Sequence, residues 1–171
     1  MKTTTSKIMA IILTLAAVGQ IIATVLLYDK NGSPVIINLG WIILWISAIF
    51  GWLPILTFKK YGKVAKRDSY MKTTALVDRG VYAIVRHPQY LAGMLMGLVL
   101  ILITTHWIVV ILGIVVIIVT YGDTYSEEAS CIAKFGDAYN QYMKRVPRVN
   151  FLLGIIRLIG KKIHSRKKEG D

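Results

Sequence analysis

Two short polar stretches contain the side chains of this sequence that could do chemistry. One is Arg86-His87-Pro88-Gln89-Tyr90, and the other runs from Tyr121 to Glu128 and ends in two adjacent glutamates. A guanidinium can orient an anion, an imidazole or a carboxylate can accept a proton, and aromatic rings can stabilise a cation. The two stretches therefore contain the groups that a catalytic or ligand-binding site requires.

Each of these side chains also has an ordinary structural explanation. Arg86 could be a cytosolic anchor of positive charge, Pro88 the first residue of a helix, and Tyr90 an aromatic residue of the membrane interface. Glu127 and Glu128 could form the first solvated turn beyond the bilayer. A structural boundary does not need all of these groups in one place, however, and ionisable groups at membrane depth favour a functional site.

The elements that would position the two stretches are hydrophobic helices. The chain is 55% hydrophobic with a mean hydropathy of +0.57, which is more apolar surface than a soluble domain of 171 residues could bury. The predicted fold class is all-α, an integral membrane helical bundle of about four transmembrane helices with a C-terminal helical hairpin and interfacial helices. We expect a single membrane domain over residues 1–171, with spans at approximately 8–28, 35–58, 89–105 and 107–125.

The last two spans are joined by Thr104-Thr105-His106, and so short a join predicts an antiparallel hairpin. Both helices rise about 1.5 Å per residue, so residues equally far from the tip lie at the same depth. Arg86 and His87 then lie level with the polar end of the second helix, and the two glutamates follow one turn later. The hairpin therefore predicts that the two polar stretches meet. Gly93 and Gly97 predict close packing between its helices.

Basic residues are concentrated in segments that would face one side of the membrane. The net charge is +12, from 21 Lys and Arg against 9 Asp and Glu. The positive-inside rule predicts that both termini are cytosolic, that residues 59–88 and 126–171 are cytosolic or interfacial, and that the active site lies on the cytosolic face. The polybasic tail Lys161 to Lys168 is expected to bind anionic lipids. This distribution argues against nucleic acid as a partner.

Several motifs in the second half of the chain form an ordered set. They are Leu76-Val77-Asp78-Arg79-Gly80-Val81-Tyr82, Arg86-His87-Pro88-Gln89-Tyr90, Glu127-Glu128, Phe135-Gly136, Tyr139, Tyr142 and Val146-Pro147-Arg148. The set resembles the isoprenylcysteine carboxyl methyltransferase and phospholipid methyltransferase superfamily over residues 76–148. One departure is Asp123, which stands one turn before the glutamate pair, where members of the superfamily often have an Arg.

The resemblance implies an S-adenosylmethionine-dependent methyltransferase whose lipophilic acceptor, a small molecule or a prenylated group, arrives from the membrane. It implies a cofactor site within residues 76–148. No metal is expected, because the three histidines are scattered along the chain. The predicted cofactor-binding residues are Leu76, Val77, Gly80, Tyr82, His87, Pro88, Tyr90 and Glu128.

The chemistry of the acceptor distinguishes two enzyme functions. A prenylated carboxylate is already an anion near neutral pH, so it needs a cation to orient it, and Arg86 is the candidate. An amine headgroup must first lose a proton, which requires a base such as Glu127 or His87. We predict Arg86 and Glu127 as the catalytic residues and favour carboxyl methylation, because the motif spacing is closer to that branch. Phospholipid N-methylation and a non-enzymatic membrane scaffold or transporter subunit are the alternatives.

Overall fold

Helices make up the fold. The structure, a computed structural model, describes residues 4–28, 32–62 and 75–169, and these ranges contain six α-helices, one 3-10 turn and no strand. The predicted all-α fold is confirmed. The helices are α1 (Thr4–Leu26), α2 (Pro34–Tyr61), α3 (Pro88–Thr104), α4 (Trp107–Phe135), α5 (Asp137–Arg145) and α6 (Phe151–Glu169), and the 3-10 turn Gly80–Ala83 precedes α3.

The long helices have the length and composition of membrane spans. Within the described ranges, α1, α2 and α4 are long and apolar enough to cross a bilayer, and α3 is a shorter apolar helix of 17 residues. Large apolar side chains such as Leu15, Val35 and Trp45 are exposed on them, and lipid rather than water would solvate these groups. The protein is therefore an integral membrane helical bundle, as predicted. The division into four spans and two cytosolic segments stays a prediction, and residues 63–74 of the basic connector lie outside the described residues.

Contacts divide the chain into two compact units. The first unit consists of Met1–Ile49 and Tyr90–Ser126, and the second of Phe50–Gln89 and Glu127–Asp171. Each unit therefore combines two separate parts of the chain. The first unit contains α1 and the hairpin of α3 and α4, and the second contains the polar segments with α5 and α6.

The predicted hairpin lies in the first unit. Only Thr105 and His106 separate α3 from α4, and Thr105 has a φ of +52°, in the left-handed region that reverses a chain tightly. A Cβ added at Gly97 would lie 3.4 Å from a Val116 methyl group, and one added at Gly93 would lie 3.7 Å from Thr120. The predicted close packing at the two glycines is therefore confirmed.

Buried polar side chains join the other helices of the first unit to this hairpin. The Gln20 side chain, 1% exposed, donates from Nε2 to the carbonyl oxygens of Gly97 (2.9 Å) and Val109 (3.4 Å). The Ser47 hydroxyl donates to the Ala92 carbonyl oxygen at 2.9 Å. Such interhelical hydrogen bonds contribute to helix association where lipid gives no hydrophobic driving force.

In the second unit, α6 packs against the carboxy-terminal half of α2 and against the segment that precedes α3. The Phe50 and Phe151 rings lie 5.3 Å apart between centroids. One turn further along α6, a Cβ at Gly154 would overlap the Ile84 carbonyl group, so only glycine permits this approach. The fold therefore places α6 directly beside the polar segment of interest.

Candidate active site

The segment before α3 has a backbone that suits only certain residues. Gly80 has a φ of +60°, and a Cβ there would lie 2.9 Å from the Thr57 side chain, so both conformation and space require glycine. After the 3-10 turn, the amides of Arg86 and His87 donate to the carbonyl oxygens of Pro147 (3.0 Å) and Arg148 (3.1 Å). These two hydrogen bonds fix the backbone from which Arg86 and His87 project.

Three side chains converge on the Glu128 carboxylate. Together with Glu128 they form what we call the Glu128 cluster: Arg86, His87, Glu128 and Arg148. Glu128 comes from α4, and its Oε1 lies 2.8 Å from Arg86 Nη1 and 3.1 Å from His87 Nε2. Arg148 forms a fork on the same carboxylate, with Nε donating to Oε1 at 3.1 Å and Nη2 donating to Oε2. Exposure is 7% for the Glu128 side chain, 10% for Arg86 and 18% for Arg148. The sequence-predicted meeting of the two polar stretches is thus seen at Arg86, His87 and Glu128.

Burial sets the charge of this cluster. Desolvation lowers the pKa of His87 below its usual value, and the neighbouring guanidiniums act in the same direction, against the opposing effect of Glu128. His87 is therefore neutral at physiological pH. Because a carboxylate can only accept hydrogen bonds, the imidazole must carry its proton on Nε2. Two guanidiniums then face one carboxylate, so the cluster carries one net positive charge.

The Arg86 side chain has hydrogen-bond donors that are not satisfied. Its Nε and Nη1 are buried and have no hydrogen-bond acceptor, since the approach of Nη1 to Glu128 is an ion pair without hydrogen-bond alignment. Leaving a buried donor unsatisfied costs about 1–3 kcal/mol. The geometry and the net charge both suit an anionic ligand that accepts hydrogen bonds from Arg86.

Among the predicted cofactor residues before the 3-10 turn and within it, Val77 and Tyr82 are buried, Leu76 is half-buried and Gly80 is exposed. Tyr82 accepts a 2.7 Å hydrogen bond at its carbonyl oxygen from the Tyr142 hydroxyl, and its ring lies 4.9 Å from that of Phe58. Burial raises the pKa of Tyr142, which therefore remains a donor at physiological pH. Val77 is buried, and Leu76 packs against the cluster of buried residues that contains Tyr142. Their cofactor role stays a prediction, as does that of Gly80.

The other predicted site residues have different surroundings. Pro88 is the fully buried first residue of α3, where its missing amide hydrogen costs no helical bond. Tyr90 follows on α3 in the first unit and is half-buried. Glu127 is exposed, although its neighbour Glu128 is buried, and the Glu128 cluster does not include it. The cofactor role of Tyr90 and the catalytic role of Glu127 stay predictions.

Sequence reasoning missed Arg148. The residue was noticed only as the end of the Val146-Pro147-Arg148 motif, with no role assigned to it. It reaches Glu128 because residues 147–148 pair with residues 86–87 through the backbone, after the chain has passed through α4 and α5. The sequence carries no local signal for this contact, because it depends on pairing between two segments that are distant in the chain.

Comparison with known proteins identifies a family. A family model described as phospholipid methyltransferase matches residues 35–138, which is more than half of the chain. The match begins in α2, so the similarity extends further toward the amino terminus than the motifs between Leu76 and Arg148 indicated. It includes Arg86, His87 and Glu128 and ends before Arg148. No curated protein and no solved structure matches the chain.

Proposed function

Because the chain belongs to the phospholipid methyltransferase family, we propose that it transfers a methyl group from S-adenosylmethionine to a lipophilic acceptor at the Glu128 cluster. Membership in this family identifies the protein as a membrane methyltransferase that acts on lipids. The alternative of a non-enzymatic scaffold or transporter subunit therefore loses its support. The observation that carries the more specific proposal is the buried Arg86 guanidinium with two donor nitrogens that have no acceptor.

The cofactor would supply an electrophilic methyl group on a positively charged sulfur. Its amino acid portion also carries a carboxylate, which is the alternative ligand for the unsatisfied donors of Arg86. The residues proposed to contact the rest of the cofactor are those predicted from the sequence, namely Leu76, Val77, Gly80, Tyr82, Pro88 and Tyr90.

Glu128 acts in this proposal as the residue that holds the cationic groups in place. Its two oxygens already accept hydrogen bonds from Arg148 and His87 and pair with Arg86. It would therefore contribute to the cofactor site by fixing the two guanidiniums. Accurate positioning of donor and acceptor can contribute roughly 7–11 kcal/mol to methyl transfer, so a rigid cluster is useful even where it makes no covalent bond.

A carboxylate is the acceptor that the geometry supports best. It is already nucleophilic near neutral pH and needs orientation by a planar cation, and Arg86 is the residue proposed to supply it. The two unsatisfied donor nitrogens of Arg86 can hydrogen-bond to an incoming carboxylate, whereas an ammonium group offers them no acceptor. We therefore favour carboxyl methylation of an isoprenylcysteine-type acceptor, with Arg86 as the catalytic residue that binds the carboxylate.

Phospholipid N-methylation is the second candidate, and the description of the matching family favours it. An amine acceptor would have to lose a proton before attack. The exposed carboxylate of Glu127 is the proposed base in that case, since the oxygens of Glu128 are occupied by cationic partners.

The proposed orientation places this chemistry at the cytosolic face. The distribution of basic residues supports cytosolic termini, entry of the cofactor from the cytosol and entry of the acceptor from the inner leaflet. The basic tail would hold the carboxy-terminal helix near anionic lipids, with each base contributing about 1 kcal/mol.

The test is methyl transfer by the purified chain in detergent micelles. Cofactor with a labelled methyl group is offered with a prenylcysteine, with phosphatidylethanolamine, or with neither. Label that alkali releases as methanol identifies a methyl ester and supports carboxyl methylation, whereas label that stays on the phospholipid identifies N-methylation. Calorimetry that detects no binding at millimolar cofactor would refute the proposal altogether.

Arg86→Lys separates the two possible uses of the guanidinium. If Arg86 orients the acceptor, the variant loses most of its turnover and retains its dissociation constant for the cofactor, because an ammonium cannot reproduce the planar fork. Weaker cofactor binding would instead assign Arg86 to the carboxylate of the cofactor. Full activity with unchanged binding would remove Arg86 from both roles.

A further inference from the structure

The second unit contains a cavity that is separate from the Glu128 cluster. Its volume is about 510 Å³, within the range of roughly 300–1,000 Å³ that small-molecule sites occupy. Ala83, Val146 and Leu158 give it an apolar part. Its charged lining residues are Asp78, Arg79, Lys144, Arg145, Arg157 and Lys161.

Within the described part of the chain, most of the positive charge around this cavity has no carboxylate partner. Arg145 pairs with Asp78 at 3.5 Å, and Asp78 is the only carboxylate among the lining residues that the structure describes. Arg79, Lys144, Arg157 and Lys161 have no ion pair with any carboxylate in the part of the chain that the structure describes. Five cationic groups thus surround one carboxylate in a concave site, where the positive potential is stronger than on an open surface.

Helix α6 positions two of these cations. Gly154 packs against the Ile84 backbone, and Arg157 and Lys161 follow it at i+3 and i+7, on the same side of the helix. The opposite side carries the exposed apolar residues Leu152 and Ile156. The close contact at Gly154 therefore holds both cationic side chains toward the cavity and leaves the apolar side of α6 free for lipid.

We propose that this cavity binds a phosphate-bearing ligand, either the headgroup of an anionic lipid or a soluble phosphate ester. Arginine and lysine are the side chains that proteins use to bind phosphate, and a phosphate dianion would offset the charge that the lining leaves unpaired. The cofactor of the proposed function is a poor match, because its sulfonium and ammonium groups outweigh its single carboxylate. The cavity is therefore a site in addition to the one at the Glu128 cluster, and it does not depend on the proposed methyl transfer.

The experiment measures binding by calorimetry to the full chain in neutral detergent at low salt. The probes are dihexanoyl phosphatidic acid, glycerol 3-phosphate and, as a zwitterionic control, dihexanoyl phosphatidylcholine. The test variant is Arg157→Gln with Lys161→Gln. Its matched control is Lys59→Gln with Lys60→Gln, which removes the same charge from exposed positions of α2 that do not line the cavity.

We expect the test variant to bind phosphatidic acid about 10- to 30-fold more weakly than the wild type, and the control variant to stay within about twofold. If the lipid binds more than about tenfold tighter than glycerol 3-phosphate, the source is a lipid headgroup. Similar affinities identify a soluble ester. Failure of both phosphate probes to bind overturns the site, as does an equal loss in both variants. Equal melting temperatures of the two variants would show that the loss of phosphatidic acid binding does not arise from unfolding. Binding of S-adenosylmethionine is measured in a separate titration, because the cavity does not depend on the proposed methyl transfer.

Discussion

Replacing Glu128 by Gln keeps the shape of the side chain and removes the charge that Arg86 and Arg148 share. The two guanidiniums would then face each other in a site where the three side chains are 7–18% exposed. Breaking a buried ion pair by removing one partner costs about 3–5 kcal/mol, because the remaining charge stays buried and uncompensated. The introduced amide could still accept one hydrogen bond, and Arg148 could turn partly toward water. We therefore expect a loss near the lower end of that range, about 3 kcal/mol.

Equilibrium unfolding in mixed micelles of mild detergent and sodium dodecyl sulfate would measure this loss. Glu127→Gln is the matched control, since the same change at the exposed neighbour should alter the free energy of unfolding by less than about 0.5 kcal/mol. Adding Arg148→Gln to the first variant removes the excess charge and should restore about 1–2 kcal/mol. Equal effects of the two glutamate substitutions, or no recovery in the double variant, would refute the view that Glu128 neutralises the cluster.

Three further changes test other contacts of the second unit. Tyr142→Phe leaves the buried Tyr82 carbonyl without its donor and should lower the free energy of unfolding by about 1–3 kcal/mol, measured by the same titration. Folding lowers the pKa of His87, so below about pH 6.5 the unfolded chain binds more protons than the folded chain. His87 therefore lowers the free energy of unfolding as the pH falls from there. His87→Asn should make the free energy of unfolding less dependent on pH between roughly pH 7.5 and 5.5. An unchanged pH dependence would assign the effect to other groups. Gly154→Ala should cost about 1–3 kcal/mol by overlap with a neighbouring carbonyl, whereas Gly160→Ala, with open space around it, should be neutral or stabilising by up to about 1 kcal/mol in thermal unfolding.

The membrane helices could be predicted because their signal is local. An uninterrupted apolar run specifies a helix of bilayer length without information from the rest of the chain, and a join as short as that around Thr105 permits only an antiparallel return. The hairpin in turn predicted the approach of His87 and Glu128, because the glutamates follow one turn beyond the residues that lie level with His87. Helix α4 continues to Phe135, into the polar sequence beyond the predicted span 107–125.

Other features of the site depend on contacts between distant parts of the chain. The amides of Arg86 and His87 bond to residues 147–148, and neither segment forms a regular strand with a pattern that could be recognised. Arg148 could not be placed without that pairing. The difference in burial between Glu127 and Glu128 likewise depends on which side of α4 faces the cationic residues, and adjacent identical residues give no sequence signal for it.

The amide of Gln20 has a consequence for how the amino-terminal helix can be altered. It reaches carbonyl oxygens on both arms of the hairpin, and at Gly113 a methyl group would collide with this same side chain. A polyleucine segment of equal length would still insert into a bilayer, but it could not recognise the hairpin. Chimeras that exchange α1 for a generic anchor should therefore reach the membrane and fail to assemble there, so the helix is a specific component of the bundle.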